Sequence, residues 1–413
     1  MMYGKNWMKP VLWMAIAVCM SQMATAAILT VTNGVDSGAG SLRQTILGAA
    51  PGDTIVFDPG LNGSIITLTS GALTITNSLT ITGPGPQLLA INGNASDRVL
   101  NIQNPVLSTI TVRISGLSIT NGVTTGGGGG IGTNTDWNKP LRLTVSNCVI
   151  RFNRNTSSSY SGGGGISINY GTTVVITDSE ISNNNDSSGF GGGGVWFRGY
   201  NTSSNILERV SVIGNSTSGS GGGLLTRAGY PIFIWNCTFS GNSSTSSYWQ
   251  GSTVGGGAIF TQGSGITHIY NSTLTSNTAT KSCGGFFSYN SSTVSLHSVI
   301  LSGNTAVLGS PDVLGTFTTV TNCLIQFTNG VALPGANNIF GQPALLEALA
   351  YNGGLTRTHA LAKNSPAFNK GHNPLNLQTD QRGTGYPRLL GNAVDIGAYE
   401  LVPPPRGTIL YFK

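Results

Sequence analysis

Apolar and polar residues alternate over short stretches along most of this chain. A period of two residues predicts strands that bury one face, because successive side chains in a strand point to opposite sides. No helical period follows the glycine-rich segments that separate these stretches. The pattern therefore predicts an all-β protein built from many short strands, such as those containing Leu143/Val145, Val174/Ile176, Ile232/Ile234 and Val294/Leu296.

Two markers recur along the chain: a run of glycines, and an apolar residue followed three positions later by asparagine. Consecutive asparagines are separated by 31, 31, 27, 35 and 27 residues. Periods of about 20 to 50 residues indicate a solenoid, in which each unit buries its apolar face against its neighbours. The asparagines are Asn153, Asn184, Asn215, Asn242, Asn277 and Asn304. The glycine runs are 126–130, 162–165, 191–194, 221–223, 255–257 and 284–285.

These markers predict architecture rather than catalysis. Equivalent strands of successive units run parallel in a solenoid, which indicates a parallel β-helix. Asparagine suits a fixed turn position, because it tolerates the left-handed conformation and its amide pairs with the same amide one unit away. Glycine suits positions that need positive φ or close backbone approach. A phosphate-binding loop would need a single glycine run that leads into a helix, and none of these glycine runs is followed by a helical pattern.

The repeats resemble those of polymorphic outer membrane proteins, in which an F-x-x-N motif alternates with G-G-A-[ILV]. The nearest matches here are FSGN (239–242) with GGGAIF (255–260), and LSGN (301–304) or ISNN (181–184) elsewhere. The resemblance implies a β-helix and an adhesin-like role.

The two ends of the chain carry further resemblances. Residues 36–61 resemble the CSLREA-type N-terminal region of secreted bacterial β-helices, and residues 353–400 resemble the choice-of-anchor Q region found on such proteins. SLRQTILGAA (41–50) predicts a short amphipathic helix that caps the open core. We expect an N-terminal cap at 27–60, repeats at 61–340, a C-terminal region at 341–400 that packs on the helix, and a tail at 401–413.

The first 26 residues predict a signal peptide. Lys5 and Lys9 precede an apolar stretch, and Ala24-Thr25-Ala26 offers a cleavage site. Only 8% of the chain is charged, which suits an exported protein with a polar surface. The net charge of +6 is not concentrated in a basic cluster, so we expect no nucleic-acid partner. No later segment is long and apolar enough to predict a membrane-spanning helix.

Four cysteines follow the predicted leader. Cys148, Cys237 and Cys323 share one register position, three units apart, which corresponds to roughly 14 Å at 4.8 Å per unit. A disulfide requires Cα atoms within about 7 Å. We therefore expect three buried free thiols, with Cys283 in a turn without an obvious partner.

Carboxylates suggest one candidate catalytic site. Asp178, Glu180 and Glu208 fall on adjacent units, with Arg209 beside them. Paired carboxylates roughly 5 to 10 Å apart perform glycosidic chemistry. We favour the alternative that these residues are solvated polar positions neutralised by Arg209. No metal or other cofactor is expected, and calcium enters only if the protein is a polysaccharide lyase.

Aromatic residues suggest candidate binding surfaces, because exposed apolar patches often bind ligands. Phe233, Trp235, His268, Tyr270 and His297 are predicted to lie on outward positions of three consecutive units. A second outward column holds Trp196, Leu225, Ile259 and Phe287, flanked by Arg198, Arg227 and Tyr289. Tyr248 and Trp249 lie in the longest loop (246–252). We expect the C-terminal region to cover one of the two columns.

The sequence thus predicts an exported, right-handed single-stranded parallel β-helix with a short N-terminal capping helix. We expect an adhesin-like recognition protein of the cell surface or the secreted fraction, with a polysaccharide or a neighbouring cell surface as its partner. A pectate-lyase-like polysaccharide lyase or a glycoside hydrolase is one alternative, and a structural envelope or matrix protein is another. The oligomeric state stays open.

Overall fold

The computed structural model describes residues 25–157, 161–198, 204–227, 229, 231–245, 255–290 and 292–402. These residues wind into the predicted right-handed parallel β-helix, whose turns stack strands into long parallel sheets. We call the three long sheets A, B and C in the order in which each turn visits them, and one turn of the solenoid a rung.

Sheets A and B each contain eleven strands among the described residues. Those of sheet A are Ile28–Val31, Thr54–Phe57, Leu79–Thr82, Ile110–Ser115, Leu141–Ser146, Thr172–Thr177, Asn205–Glu208, Pro231–Trp235, Ile266–Tyr270, Thr293–His297 and Thr319–Thr321. Those of sheet B are Ser64–Thr67, Leu89–Asn92, Ser118–Thr120, Val149–Arg151, Glu180–Ser182, Ser211–Ile213, Thr238–Ser240, Thr273–Thr275, Ile300–Ser302, Leu324–Ile325 and Ile339–Phe340.

Sheet C and a narrow fourth sheet, D, complete the rungs with nine and seven described strands. Sheet C contains Leu73–Ile75, Leu100–Ile102, Ile131–Thr133, Ile166–Ile168, Val195–Phe197, Leu224–Thr226, Ile259–Gln262, Phe286–Tyr289 and Val313–Gly315. Sheet D, between B and C, contains Val123–Thr124, Arg154–Asn155, Asn185–Asp186, Ser216–Thr217, Ser243–Ser244, Thr278–Ala279 and Thr305–Ala306. Ser282–Cys283 and Gly309–Ser310 form a further parallel pair.

One continuous apolar core fills the inside of the solenoid. Its members come from the inward positions of sheets A, B and C, as the period of two predicts, and most are fully buried. A short helix, Leu42–Gly48, packs at the amino end of this core through Leu42 and Ile46. Ser41 caps the helix by accepting a hydrogen bond from the Gln44 backbone N–H. A single 3₁₀ turn, Pro59–Leu61, follows.

The six marker asparagines form a buried ladder after sheet B. In each step the Nδ2 group of one asparagine donates to Oδ1 of the next, from Asn153 to Asn304, over 2.8 to 3.0 Å. Asn304 then donates to the carboxylate of Asp312. The expected left-handed conformation does not fall on these asparagines. It falls one residue earlier, as at Phe152 and Asn183, because the chain must bend before the amide can turn inward.

The four cysteines that follow the predicted leader are buried and free. Cys148, Cys237 and Cys323 belong to the main core, where burial raises the pKa of each thiol to about 12. Cys283 lies in the strand Ser282–Cys283 rather than in an open turn, and it is also buried and free. These cysteines therefore serve as small core residues.

The C-terminal region packs on sheet B. It contains one antiparallel hairpin, Leu346–Ala350 with Thr358–Leu361. Its hydrogen bonds reach sheet B at Ser211, Thr238 and Ser240. They also reach the corner between sheets A and B at Asn236, Asn271 and Ser298. These hydrogen bonds lie on sheet B and on the corner directly after the strands that carry Trp235, Tyr270 and His297, and none of them involves a side chain of the predicted aromatic columns. The outer face of sheet B presents hydroxyl groups that pair with the Arg357 carbonyl oxygen and with the side chains of Gln381 and His359.

Within the described residues, no helix has the length and apolar character that crossing a membrane requires. The predicted signal peptide (1–26) falls almost entirely outside the described residues, as does most of the tail (401–413).

Candidate functional site

Sheet A presents a ladder of aromatic side chains on its outer face. In register, Trp235 lies beside Tyr270 and Tyr270 beside His297, while Phe233 lies beside His268. These are the outward positions that the alternation predicts for the five residues. All five side chains are partly exposed. We refer to Phe233, Trp235, His268, Tyr270 and His297 as the sheet A ladder.

The rings of the ladder stack along the solenoid axis. Phe233 and His268 have centroids 5.0 Å apart with an interplanar angle of 18°. Tyr270 and His297 are 5.1 Å apart at 9°. Parallel strands set this spacing, since neighbouring strands lie about 4.8 Å apart. The stacked rings cover part of each other's faces, and all five side chains remain partly exposed on the outer face of sheet A.

The ladder is uncharged at neutral pH. Burial lowers the pKa of His268, and burial together with nearby His268 and His372 lowers the pKa of His297. Burial raises the pKa of Tyr270, so its hydroxyl keeps its proton. His297 Nδ1 lies 2.6 Å from the Thr321 hydroxyl, which holds the imidazole in place. Neutral, oriented rings of this kind suit contact with the C–H faces of sugars.

The second predicted column is buried and does not form a binding surface. Trp196, Leu225 and Phe287 pack together with Phe260 and Cys283 in a separate apolar cluster, and Trp196 is only 1% exposed. Phe260, not Ile259, occupies the column, because Ile259 pairs with Leu224 and points into the main core. The strand alternation correctly predicts that these side chains point away from the main core. It does not predict that the glycine runs cover them.

The glycine runs close over this second cluster. A Cβ atom on Gly162 would lie about 3.0 Å from the Trp196 ring and 2.3 Å from the Gly191 carbonyl oxygen. One on Gly191, where φ is 116°, would meet the Ser220 carbonyl oxygen and the Leu225 side chain. Only glycine allows the backbone to approach both the neighbouring rung and the apolar column this closely. The runs thus build a second core outside the solenoid.

The candidate catalytic carboxylates separate into two sites. Arg209 donates to both oxygens of Asp178, at 2.6 and 2.9 Å, and also to Glu208 Oε1. Asp178 and Arg209 adopt left-handed conformations at the corner between sheets A and B, which brings their side chains together across one rung. The hydrogen bonds that Arg209 donates to Asp178 and the charges of both carboxylates raise the pKa of Arg209, so it stays a cation. The three side chains form a closed ion network.

Glu180 belongs to a different environment. Its carboxylate accepts two hydrogen bonds from Arg357 of the C-terminal region, at 2.8 and 2.9 Å, and lies 3.4 Å from the Tyr351 hydroxyl. The Glu180 side chain is only 7% exposed. Glu180 does point out of the solenoid, as expected, but the C-terminal region covers it. The structure therefore does not bring Asp178, Glu180 and Glu208 together in one open cleft.

Asp178 and Arg209 also line a cavity of about 470 Å³ between the solenoid corner and the C-terminal region. Its other walls are Gly353, Gly354, Leu355, Thr379, Arg382, Gly383 and Thr384. No group of three or more His, Cys, Asp or Glu side chains within the described residues is placed to hold a metal ion.

The remaining binding candidates lie away from these carboxylates. Arg198 and Arg227 follow consecutive strands of sheet C and line a separate cavity with Tyr170, which the sequence analysis did not single out. The sequence pattern does not single out Tyr170, because this residue lies in an irregular turn that has no fixed position in the repeat. Tyr248 and Trp249 lie outside the described residues.

No family model and no curated protein sequence matches the chain. The resemblances to polymorphic outer membrane repeats, the CSLREA-type region and the choice-of-anchor Q region therefore remain predictions. Among solved structures, the chain is similar to the crystal structure of pectate lyase Pel9A, with a TM-score of 0.56 and 17% identity over 92% of this chain and 97% of that one. ORF18 of Geobacillus virus E2 is similar at a TM-score of 0.38 and 15% identity, over 75% of this chain and 60% of that one. The likeness to the pectate lyase shows the fold of this chain: a right-handed parallel β-helix.

Proposed function

We propose that this protein binds polysaccharides through the sheet A ladder and acts as an exported recognition protein. The observation that carries the proposal is the pair of stacks, Phe233 on His268 and Tyr270 on His297, on one partly exposed sheet face. Aromatic rings fixed by a rigid scaffold lose little conformational entropy when a ligand binds, so their apolar contact with sugar rings contributes to affinity. Adhesin-like attachment to a neighbouring surface is the biological setting we favour.

Export is part of this proposal. It rests on the predicted leader at 1–26 and on the low content of charged residues in the chain. The pectate lyase neighbour, whose name refers to a polysaccharide, is compatible with a glycan ligand. At 17% identity, however, the similarity argues for the fold and not for the activity.

A polysaccharide lyase or glycoside hydrolase is the second candidate. The cavity beside Asp178 and Arg209 favours it, because carboxylates and an arginine at a cleft are the residue types such chemistry uses. Against it stands the ion network, in which Arg209 already engages both Asp178 and Glu208.

One experiment separates these possibilities. The purified protein is tested for retention by plant, algal and microbial polysaccharides, with and without calcium, and the mixtures are assayed for new reducing ends and unsaturated ends. Retention without cleavage supports the recognition function. Cleavage that disappears in Asp178→Asn or Glu208→Gln establishes the enzyme instead. If the protein neither binds nor cleaves any polymer, the structural envelope role takes precedence.

A further inference from the structure

A cavity of about 250 Å³ lies where sheet C leads into sheet A. Arg198 and Arg227 occupy equivalent positions on consecutive rungs of its wall. The backbone N–H of Arg227 donates to the Phe197 carbonyl oxygen at 3.0 Å, and that of Arg198 donates to Ile168 at 2.9 Å. The two arginines are therefore held one strand spacing apart, about 4.8 Å along the axis. The lining residues are Tyr170, Arg198, Arg227, Gln262, Gly263, Ser264 and Asn290.

The cavity wall is positively charged. Arg198 and Arg227 contribute two guanidinium groups, and none of the described residues that line the cavity is acidic. The corner at Arg209 differs in this respect, because there two carboxylates surround one arginine. Gln262 and Asn290 add amide groups that donate hydrogen bonds. An anion that enters this cavity meets charge and donors together.

Arg198 is held in place by aromatic rings. Its guanidinium lies 5.3 Å from the Tyr170 ring centroid and 5.6 Å from that of Trp196, which is itself buried. These cation–π contacts restrict the guanidinium, so that less side-chain entropy is lost when it forms paired hydrogen bonds. Gly263 has φ of 70° and open space where a Cβ would project, which leaves the cavity unobstructed at this point.

The cavity adjoins the sheet A ladder. The turn at Gln262 to Ser264 leads directly into the strand Ile266–Tyr270, which carries His268 and Tyr270 of the ladder. The cavity therefore lies at the amino ends of the ladder strands, within a few residues of the stacked rings.

We propose that the Arg198/Arg227 cavity binds the acidic groups, carboxylate or sulfate, of an anionic polysaccharide. Arginine matches both groups because its planar fork donates two parallel hydrogen bonds to a pair of oxygens. This inference rests on the proposed function, and it names the ligand class of the same face: the ladder contacts sugar rings and the cavity selects chains that carry negative charge.

The test compares wild-type protein with the double variant Arg198→Gln/Arg227→Gln. Affinity electrophoresis and titration calorimetry measure binding to polygalacturonate, dextran sulfate and uncharged dextran. We expect the wild type to bind one of the anionic polymers at least tenfold more tightly than dextran. The double variant should lose at least tenfold in affinity for that polymer, and its binding should depend less on salt. A preference for polygalacturonate identifies carboxylate as the bound group, and a preference for dextran sulfate identifies sulfate.

The matched control is Arg151→Gln/Arg154→Gln, which also removes two positive charges, from exposed positions of sheets B and D rather than from sheet A. It should leave affinity unchanged, and circular dichroism and the melting temperature check that the variants fold. An equal loss in the control and the double variant would overturn the inference, because overall charge alone would explain it. Equal wild-type affinity for charged and uncharged polymers overturns the inference and leaves the proposed function intact. No binding to any polymer overturns both.

Discussion

Glu180 and Arg357, 177 residues apart in the chain, form a two-point ion pair that joins sheet B to the C-terminal region. The pair removes Glu180 from the candidate catalytic cluster and fixes the C-terminal region on the solenoid. A carboxylate with this little exposure requires a partner, because an isolated buried charge is costly.

Replacing Arg357 with methionine should destabilise the protein. The change keeps the apolar contacts of the side chain and leaves the Glu180 charge buried without its partner, so we expect a loss of about 3 kcal/mol in the free energy of unfolding. Chemical denaturation measures it. The double variant Glu180→Met/Arg357→Met should recover most of the loss. If Arg357→Met costs no more than a surface substitution, the pair is not what holds the two regions together.

Asn215→Ala should break the asparagine ladder at its middle. Asn215 donates to Asn242 and accepts from both the Nδ2 group and the backbone N–H of Asn184, and all of these groups are buried. Buried groups left unsatisfied cost about 1 to 3 kcal/mol each, so a loss of about 3 kcal/mol in unfolding free energy is expected. Asn62→Ala, at an exposed position, should change stability by less than about 0.5 kcal/mol. Equal effects of the two substitutions would show that the ladder contributes nothing.

Trp196→Ala should weaken the fold and spare ligand binding. Trp196 is buried in the second apolar cluster, so its removal leaves a cavity worth about 3 to 5 kcal/mol. Thermal unfolding measures the loss of stability. The affinity of the folded variant for uncharged polysaccharides, measured below its melting temperature, tests whether binding is unchanged. If Trp196→Ala lost binding but kept its stability, Trp196 would be a ligand contact as the sequence predicts.

Asp186 should make stability depend on pH between about 4 and 7. Burial raises the pKa of its carboxyl to about 6, although Asn155, Ser188, Thr217 and Gly191 all donate to it. The unfolded pKa is near 3.8, so this contribution to stability is fully present below about pH 4 and is lost as the pH rises through 6.

The variant Asp186→Asn isolates this effect. Wild-type protein should gain about 1 kcal/mol more than the variant when the pH falls from 7.5 to 5, as measured by denaturant unfolding at both values. Asp136→Asn, at an exposed carboxylate, should follow the wild type. A pH response identical in wild type and Asp186→Asn would contradict the assignment.

Repetition explains why much of the fold was predictable from the sequence. A strand alternation repeated at a fixed period determines both which side chains point inward and which residues lie side by side on neighbouring rungs. The asparagine ladder and the sheet A ladder follow from these two facts alone. The buried cysteines follow from the same register.

The features that could not be predicted depend on contacts outside the repeat. Alternation turns Trp196 away from the main core but does not show that glycine runs fold over it. Ala258 occupies the last position of its glycine run. Counting from the last glycine therefore places the second column one residue too early, at Ile259 instead of Phe260. The partner of Glu180 lies in a region without repeats, so no register connects the two.

The central claim is that the sheet A ladder binds polysaccharide. Its most direct test is the affinity of ladder variants for a polysaccharide that binds the wild-type protein. Calorimetric titration compares the wild type with Tyr270→Ala, which removes the ring stacked on His297, and with Phe340→Ala, which removes an exposed phenylalanine from sheet B. We predict at least a tenfold loss of affinity, about 1.4 kcal/mol, for Tyr270→Ala and none for Phe340→Ala. Unchanged affinity in a folded Tyr270→Ala protein would contradict the claim that sheet A is the binding face.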